Sequence, residues 1–440
     1  MPDISDNYLP QVRSQYEALP YPPCNPEDEH KRLVRTWLDD LPMISHYCFA
    51  GKQSFKNGFR VLVAGGGTGD GTIFLAEQLK HTDAQVVHLD MSQASIALAQ
   101  KRAQIRGLSN ITWLHDSLLN LPALGEQGLG RFDYINCSGV LHHLADPDAG
   151  LQALRSVLKP DGAIGLMVYA SSGRIGVYQM QALMRLVNQG IKDVGDEQRK
   201  ISNTRDMLAS LPASNWFKRS EDLHNDHRMG DAGIYDLLLH SQDRSYSVGE
   251  LFDWLETQNG FHLEFSDVQR GRAPYLPHMV LGSKPPAMAA QLRQRPRRQQ
   301  YQMAELMSGN LIMHTLYLTT AASTVAPYGD EACVPFFYHE PLTGEMAAQV
   351  FASNRGQPFM LQHKHSGMAF MVNPGRYAPQ ILKLIDGKRT FGDIFEQFRK
   401  DWRGQAAAPG NDVLFADFAP SYEALNALER LLLKHPDSEL

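Results

Sequence analysis

Residues 61–72, VLVAGGGTGDGT, place a cluster of glycines between an apolar run and a helix-like stretch. Such a strand-loop-helix turn brings backbone N–H groups and a helix N-terminus up to a ligand. Three kinds of nucleotide-like ligand use this turn, and the glycine spacing distinguishes them. A P-loop requires a Lys after the glycines, and none follows here. The dinucleotide pattern GxGxxG also fails, because its sixth place is Asp70 when counted from Gly65 and Thr72 when counted from Gly67.

The spacing that remains, Gly65-x-Gly67-x-Gly69, fits a ligand that has no pyrophosphate. Asp90 ends the next apolar run, where a carboxylate can accept both hydroxyls of a ribose. Asp116 and Ser117 follow a third run and are placed to receive an adenine amino group. These three anchors describe an adenosine without phosphates.

Alternating apolar runs and helical patterns over residues 60–169 predict a parallel sheet built from βαβ units, which would position these anchors. We expect strands at 59–64, 85–90, 111–115, 132–137 and 163–169, and helices at 70–80, 92–106 and 148–158. Two later strand candidates, 261–265 and 278–283, would complete the sheet by Ser283.

With these residues in order, the chain resembles the class I S-adenosylmethionine-dependent methyltransferases. The matching stretches are VLVAGGGTG (61–69), HLDMS (88–92), HDS (115–117), FDYINCSGVLHHL (132–144) and LRSVLKPDGAIGLMVY (154–169). The resemblance implies an α/β, Rossmann-like doubly wound sheet of strand order 3-2-1-4-5-7-6, with strand seven antiparallel, and S-adenosylmethionine as the cofactor. It implies cofactor contacts from Gly65, Gly66, Gly67, Gly69, Asp90, Met91, Asp116, Ser117, Cys137 and Ser138.

One departure from the family concerns the methionine part of the cofactor. The family often carries an acidic residue in the first strand just before the glycines, and this chain has Val63 and Ala64 there. The amino group of the methionine must then be bound by other residues. The candidates are Asp70 and, from the N-terminal segment, Arg13, Tyr16 and Tyr21.

The acceptor pocket should lie at the carboxyl edge of the sheet. We expect it to be lined by His142, His143, Tyr169, Arg174 and Tyr178. No general base is evident from the sequence, and His143 is the one candidate for that role. We expect no metal, since His224, His227 and Asp231 have irregular spacing and His363 and His365 have no third ligand.

The domain organisation follows from shifts in composition. We predict an N-terminal helical cap (1–58), a methyltransferase domain (59–286) with a helical substrate insertion (170–258), a helical connector (287–325) and a small α+β C-terminal domain (326–440). The last domain resembles a small winged-helix or peptide-binding module. Within the insertion, Ser247 and Glu250 predict a capped helix N-terminus.

Charge and composition limit the partners. The net charge of −6 argues against a nucleic-acid binder, and no apolar run is long enough to span a membrane. The N-terminus shows no signal peptide and the four cysteines have no CxxC spacing, so we expect a cytoplasmic protein. The sequence therefore predicts a methyltransferase whose acceptor is a small molecule or a protein side chain. The alternative is a non-catalytic cofactor-binding sensor or scaffold.

Overall fold

The computed structural model describes residues 10–192, 195–267, 271–282, 286–338, 342–354, 356–362 and 369–438. The strands in chain order are β1 Arg60–Ala64, β2 Gln85–Asp90, β3 Ile111–His115, β4 Phe132–Ser138, β5 Leu158–Ala170, β6 Ser245–Tyr246, β7 His262–Ser266, β8 Met313–Thr319, β9 Val334–Phe337, β10 Phe359–Gln362, β11 Ala369–Val372 and β12 Leu431–Lys434.

The first α-helices in chain order are α1 Pro10–Ala18, α2 Leu41–Cys48, α3 Asp70–Gln78, α4 Gln93–Arg106, α5 Leu121–Leu124, α6 Pro147–Ser156, α7 Ile175–Val187, α8 Glu197–Ser210 and α9 Trp216–Ser220. The later ones are α10 Gly230–Ile234, α11 Val248–Leu251, α12 Pro277–Val280, α13 Ala289–Leu292, α14 Arg297–Ser308, α15 Gly344–Ser353, α16 Ala378–Leu384, α17 Phe391–Lys400 and α18 Asn411–Ala427. Of the helices in the described ranges, none is long and apolar enough to cross a membrane.

The main sheet has the strand order β3-β2-β1-β4-β5-β8-β7, with the short β6 beside β5. Strands β1 to β5 are parallel, and β8 runs antiparallel to β5 with Met167 opposite Thr315. Apart from β6, the order is the predicted 3-2-1-4-5-7-6 with its seventh strand antiparallel. The fold expected from the sequence is therefore confirmed.

The seventh strand does not come from the predicted segment. Residues 278–283 were expected to form it, but α12 occupies Pro277–Val280, and Ser283 lies outside the described residues. Proline at the first helical position favours a helix start and does not fit a central strand. The sheet is therefore not complete by Ser283.

The strand β8 lies within the predicted helical connector 287–325. Helix α14 does occupy Arg297–Ser308, but Gly309 follows with a φ of 61° and ends it. The next residues are rich in Thr, Tyr and Leu, which favour an extended strand. The connector prediction was thus wrong for its second half, which supplies a strand of the main sheet.

By compactness the chain divides into two units. The first unit comprises Met1–Asp40, Phe55–Trp254 and Gly309–Thr320. The second unit comprises Leu41–Ser54, Leu255–Ser308 and Ala321–Leu440. The second unit has its own apolar core, in which Phe391, Phe395 and Phe418 are buried, together with the antiparallel pairs β9–β12 and β10–β11.

The helical segment after β5 belongs to the first unit. Helix α7 packs there around Met180 and Met184, which are buried with Phe217 and Leu238. The predicted cap at Ser247 is present, because the Ser247 hydroxyl accepts from the Glu250 amide and the Glu250 carboxylate accepts from the Ser247 amide. This segment brings polar side chains toward the carboxyl ends of β4 and β5.

Candidate functional site

The glycine loop joins β1 to α3. The amides of Gly65 and Gly66 donate to the Leu89 carbonyl at 2.8 and 3.0 Å, which ties the loop to the end of β2. Gly67 has a φ of 52°, and a Cβ on it would lie 2.9 Å from the Tyr21 carbonyl oxygen. A Cβ on Gly66 would collide with the His88 ring. These two glycines are thus required by packing within the protein, and not only by the close approach of a ligand.

Asp90 lies at the end of β2, beside this loop. Its side chain is buried, and its two oxygens accept from the amides of Gly67 (2.7 Å) and Ser92 (2.8 Å). Burial raises the pKa of Asp90, and the two amide donors oppose that rise. Each carboxylate oxygen can accept more than one hydrogen bond, so the geometry leaves capacity for a diol.

Asp116 and Ser117 follow β3. Asp116 Oδ1 accepts from the Ser117 amide and from Asn120 Nδ2, both at 2.7 Å. Its other oxygen, Oδ2, has no hydrogen-bond partner among the residues the structure describes. Met91 is half-buried, and its carbonyl contacts His115 Nε2 at 3.1 Å.

The end of β4 carries the last two predicted cofactor contacts. Cys137 is fully buried, and burial raises the pKa of its thiol to about 12, so the thiol is neutral. Ser138 is exposed at the strand end, and its amide donates to Asn136 Oδ1 at 3.2 Å. Of these two residues, Ser138 is the one whose polar side chain can reach a ligand at the strand end.

Two acidic side chains, those of Asp70 and Asp39, lie near the glycine loop. Asp70 forms an ion pair with the buried Arg102 at 2.7 Å, so the negative charge of Asp70 is already compensated within the protein. Asp39, which the sequence analysis did not single out, accepts from Asn136 Nδ2 at 2.7 Å, and its Oδ2 lies 2.9 Å from a Cβ built on Gly71. Burial raises the pKa of Asp39 to about 6.

The N-terminal segment lies over the loop and the start of α4. The Tyr16 carbonyl accepts from the Ser92 hydroxyl at 3.1 Å, and the Pro22 carbonyl accepts from the Thr68 hydroxyl at 2.8 Å. The hydroxyls of Tyr16 and Tyr21 donate in turn to Asp236 (3.0 Å) and Asp226 (2.6 Å) of the insertion. Both tyrosines link the region around the cofactor anchors to the insertion.

His142 and His143 follow β4 and are both buried. The His142 ring lies 3.9 Å from the Tyr169 ring and 4.1 Å from the His143 ring, measured between centroids. Neither nitrogen of His142 has a hydrogen-bond partner among the described residues. Burial lowers the pKa of both histidines, that of His143 to about 4, so both rings are neutral near pH 7.

His143 belongs to a hydrogen-bonded network with Tyr16, Asp236 and His240. His143 Nδ1 lies 2.9 Å from the Gln242 carbonyl and must donate to it, which leaves its Nε2 as an acceptor. His240 Nδ1 accepts from the Gln242 amide at 3.1 Å, so its Nε2 carries the proton and faces the Tyr16 hydroxyl at 3.3 Å. Burial raises the pKa of Asp236 to about 7.

The ligand atoms of His143, Asp236 and His240 all lie within 4.8 Å of one another, which is a spacing that could hold a metal ion. Ligation by His240 Nε2 would need a lone pair on that nitrogen. The Gln242 amide already directs the proton to that position by donating to Nδ1. A metal would therefore cost a backbone hydrogen bond, and we interpret the group as a proton-carrying network.

Arg174 lies after β5 and is nearly fully buried. Its guanidinium carbon stacks 3.5 Å from the Tyr169 ring centroid and it pairs with Asp243 at 3.5 Å. Arg174 Nε and the Tyr178 hydroxyl are buried without a hydrogen-bond partner in the described ranges. The structure thus brings all five predicted pocket residues together at one edge of the sheet.

The histidines that were weighed as metal ligands have separate partners. His224 Nε2 contacts the Gly173 carbonyl at 3.1 Å, His227 Nε2 contacts Glu221 at 3.1 Å, and Asp231 pairs with Gln198 and Arg205. His363 and His365 lie outside the described residues.

Comparison with known proteins identifies the fold independently. The family model of a methyltransferase domain matches residues 62–164. An uncharacterized protein of Synechococcus is 32% identical over 319 residues, which cover 72% of each chain. The chain therefore belongs to the same family as that protein.

Shorter matches include named enzymes. The tRNA 5-carboxymethoxyuridine methyltransferase of Escherichia coli is 36% identical over 26% of this chain and 41% of its own length. A ubiquinone biosynthesis O-methyltransferase of Actinobacillus pleuropneumoniae is 33% identical over 31% of this chain and 61% of its own length.

Two solved structures of PKMT2 from Rickettsia typhi match nearly the whole chain. PKMT2 from Rickettsia typhi in complex with AdoHcy has a TM-score of 0.57 and 15% identity, and the match covers 94% of this chain and 77% of that one. This likeness shows the fold. The matched domain and the named relatives show that the chain is a class I S-adenosylmethionine-dependent methyltransferase, an enzyme that methylates an acceptor with S-adenosylmethionine.

Proposed function

We propose that the protein methylates a small molecule held between the carboxyl edge of the sheet and the insertion 170–258. The observation that carries this proposal is a group of buried polar atoms without hydrogen-bond partners in the described chain: both ring nitrogens of His142, Arg174 Nε and the Tyr178 hydroxyl. Buried polar groups are normally paired, so such a group indicates a site that a bound molecule completes. Because these side chains are mostly buried, a small acceptor fits them better than a folded protein surface.

The cofactor anchors fit the predicted cofactor. Asp90 would accept the ribose hydroxyls and Asp116 Oδ2 the adenine amino group, while the loop Gly65–Gly69 and Ser138 approach the rest of the molecule. S-adenosylmethionine, when bound, supplies a methyl group activated on a sulfonium. Asp39 is the acid that we propose for the methionine amino group, since Asp70 is paired with Arg102.

Proton transfer from the acceptor falls to the network around Asp236. A carboxylate with a pKa of about 7 can take a proton near neutral pH, and the Tyr16 hydroxyl, 3.0 Å away, can relay it. His143, the candidate from the sequence, has a pKa of about 4 and is a poor base. We propose that His143 Nε2 accepts a hydrogen bond from the methyl acceptor and so orients its nucleophilic atom.

The test uses methyl-labelled S-adenosylmethionine with a cell extract separated by size. We expect label in the small-molecule fraction, and label only in the protein fraction would contradict the proposal. With the product identified, kcat/KM for the acceptor should rise with pH through about 7. Asp236→Asn should lose that rise and fall by about 10²–10⁴ in rate. Asp222→Asn, which changes a fully exposed carboxylate of the same insertion, is the control.

We also propose that the protein is cytoplasmic. All four cysteines, Cys24, Cys48, Cys137 and Cys333, are free thiols, as is usual for proteins of a reducing compartment.

A further inference from the structure

Residues 19–25, which we call the strap, connect α1 to a short helical turn at Pro26–His30 and lie over the glycine loop of the first unit. A Cβ on Gly67 would lie 2.9 Å from the Tyr21 carbonyl oxygen, so the strap passes in contact with the loop. The Gly67 amide donates to Asp90, the proposed ribose anchor, at 2.7 Å. The strap therefore covers the loop beside the position that we propose for the cofactor.

Both ends of the strap are attached to α4. Before the strap, the Tyr16 carbonyl accepts from the hydroxyl of Ser92, the residue that caps α4, at 3.1 Å. After the strap, Glu29 forms an ion pair with Arg102 at 2.7 Å, and their side chains are only 4% and 2% exposed. Because removing one partner of a buried ion pair is strongly destabilising, the Glu29 end stays on α4.

The strap between these attachments is weakly packed. The structure describes all of residues 19–25, and none of them is buried. A segment with few buried contacts opens at a lower free energy than the core does. The middle of the strap can therefore move away from the glycine loop unless another contact holds it there.

That contact is a hydrogen bond to the insertion 170–258. The Tyr21 hydroxyl donates to Asp226 Oδ1 at 2.6 Å. Burial raises the pKa of Tyr21, so its hydroxyl keeps the proton that it donates. A hydrogen bond to a carboxylate is shorter and stronger than one between neutral groups. The middle of the strap is thus held to the insertion by one strong hydrogen bond.

We propose that the strap is a gate for the cofactor and that the hydrogen bond between Tyr21 and Asp226 is its latch. S-adenosylmethionine enters and S-adenosylhomocysteine leaves when this hydrogen bond is broken and the middle of the strap moves off the glycine loop. Because Asp226 belongs to the insertion, the latch links cofactor exchange to the segment that we propose for acceptor binding.

The test measures the rate constants of S-adenosylhomocysteine binding by surface plasmon resonance on the immobilised full chain. A ligand passes a latched gate only while the gate is open, so a weaker latch raises the association and dissociation rate constants together. Tyr21→Phe and Asp226→Ala should each raise both by about tenfold. This factor corresponds to about 1.4 kcal/mol, which a hydrogen bond to a charged group can supply.

A contact that only stabilises the bound cofactor would act differently. It would change the dissociation rate constant alone, so an unchanged association rate constant in Tyr21→Phe would overturn the gate. Unchanged values of both rate constants would overturn it as well. The double variant Tyr21→Phe/Asp226→Ala should be no faster than the faster single variant, since both substitutions remove the same hydrogen bond. Effects that multiply in the double variant would refute the latch.

The matched control is Tyr328→Phe. It removes a tyrosine hydroxyl that donates to the Phe415 carbonyl at 2.8 Å in the second unit, and it should leave both rate constants unchanged. Melting temperatures show whether each variant is folded. If Asp226→Ala does not fold, Asp226→Asn replaces it. The amide oxygen is a weaker acceptor than a carboxylate, so Asp226→Asn should raise both rate constants by a smaller factor, and an unchanged pair would overturn the latch.

The inference rests on the cofactor anchors of the proposed function and not on the identity of the acceptor. An unchanged affinity of Asp90→Ala for S-adenosylhomocysteine would refute the ribose anchor, and label only in the protein fraction would refute the small-molecule acceptor. Neither result decides the gate, because the rate constants of the latch variants are measured on S-adenosylhomocysteine itself.

Discussion

Asp90→Ala tests the cofactor site most directly. In the structure the carboxylate accepts from the Gly67 and Ser92 amides, and we propose that it also accepts the ribose hydroxyls. Hydrogen bonds to a charged group are each worth about 1.5–3 kcal/mol. Since about 1.4 kcal/mol corresponds to a decade in affinity, loss of the ribose contacts should weaken S-adenosylhomocysteine binding at least about tenfold.

The same substitution also acts on the loop. The Gly67 amide would lose its acceptor, and a buried unsatisfied amide costs about 1–3 kcal/mol. The melting temperature should therefore fall while the protein stays folded. Binding could then weaken because the loop is misplaced and not because a ribose contact is lost.

A second ligand separates these two causes. Calorimetry with a 2′,3′-dideoxy analogue of S-adenosylhomocysteine measures binding without the diol. If Asp90 contacts the hydroxyls, wild type should prefer the diol by at least about tenfold and Asp90→Ala should lose most of that preference. If Asp90→Ala still prefers S-adenosylhomocysteine over the dideoxy analogue as strongly as wild type does, Asp90 does not contact the ribose. If its affinity for both ligands is unchanged, Asp90 has no role in cofactor binding.

Three further substitutions or truncations follow from the structure. Gly66→Ala should destabilise the protein by about 1–3 kcal/mol, since its Cβ would meet the His88 ring. Gly392→Ala, whose Cβ would come no closer than 3.5 Å to its nearest neighbours, should not, and thermal unfolding compares the two variants. Asp39→Asn should weaken S-adenosylhomocysteine binding but leave adenosine binding unchanged, because only the former carries the amino group; equal losses would exclude that role. Folding raises the pKa of Asp39 from 3.8 to about 6, so the folded state binds a proton there more tightly than the unfolded state does. The free energy of unfolding of wild type should therefore fall as the pH rises from about 4 to 6. Asp39→Asn lacks this titration, so urea titrations should show the variant gaining stability relative to wild type over that range. A chain ending at Pro286 should be insoluble or bind no S-adenosylhomocysteine, because it lacks β8; a soluble, cofactor-binding product would contradict this.

The parallel part of the sheet could be predicted because its information is local. Each strand from β1 to β4 is a short apolar run followed by a turn residue, and its neighbour in the sheet follows from the resemblance to a known order. β8 carried the same kind of signal in MHTLYLT, but it follows a helical stretch rich in Gln, Arg and Met. The apolar run 278–283 lies closer to β7 in the sequence and resembles a strand equally well, and only Pro277 before it favours a helix.

The site divides in the same way. Gly67, Asp90 and Asp116 each directly follow or end a strand, so their positions in the sequence were enough to predict that they lie near one another. Asp236 and His240 lie in an ordinary sequence, DLLLHSQ, and become a pair with Tyr16 only because the N-terminal segment and the insertion meet above β4. Their pKa values follow from burial, which depends on residues more than two hundred positions away. The acceptor chemistry of such an enzyme therefore depends on how its added segments fold onto a common sheet, and the buried carboxylate of Asp236 beside Tyr16 is a feature that only the folded chain displays.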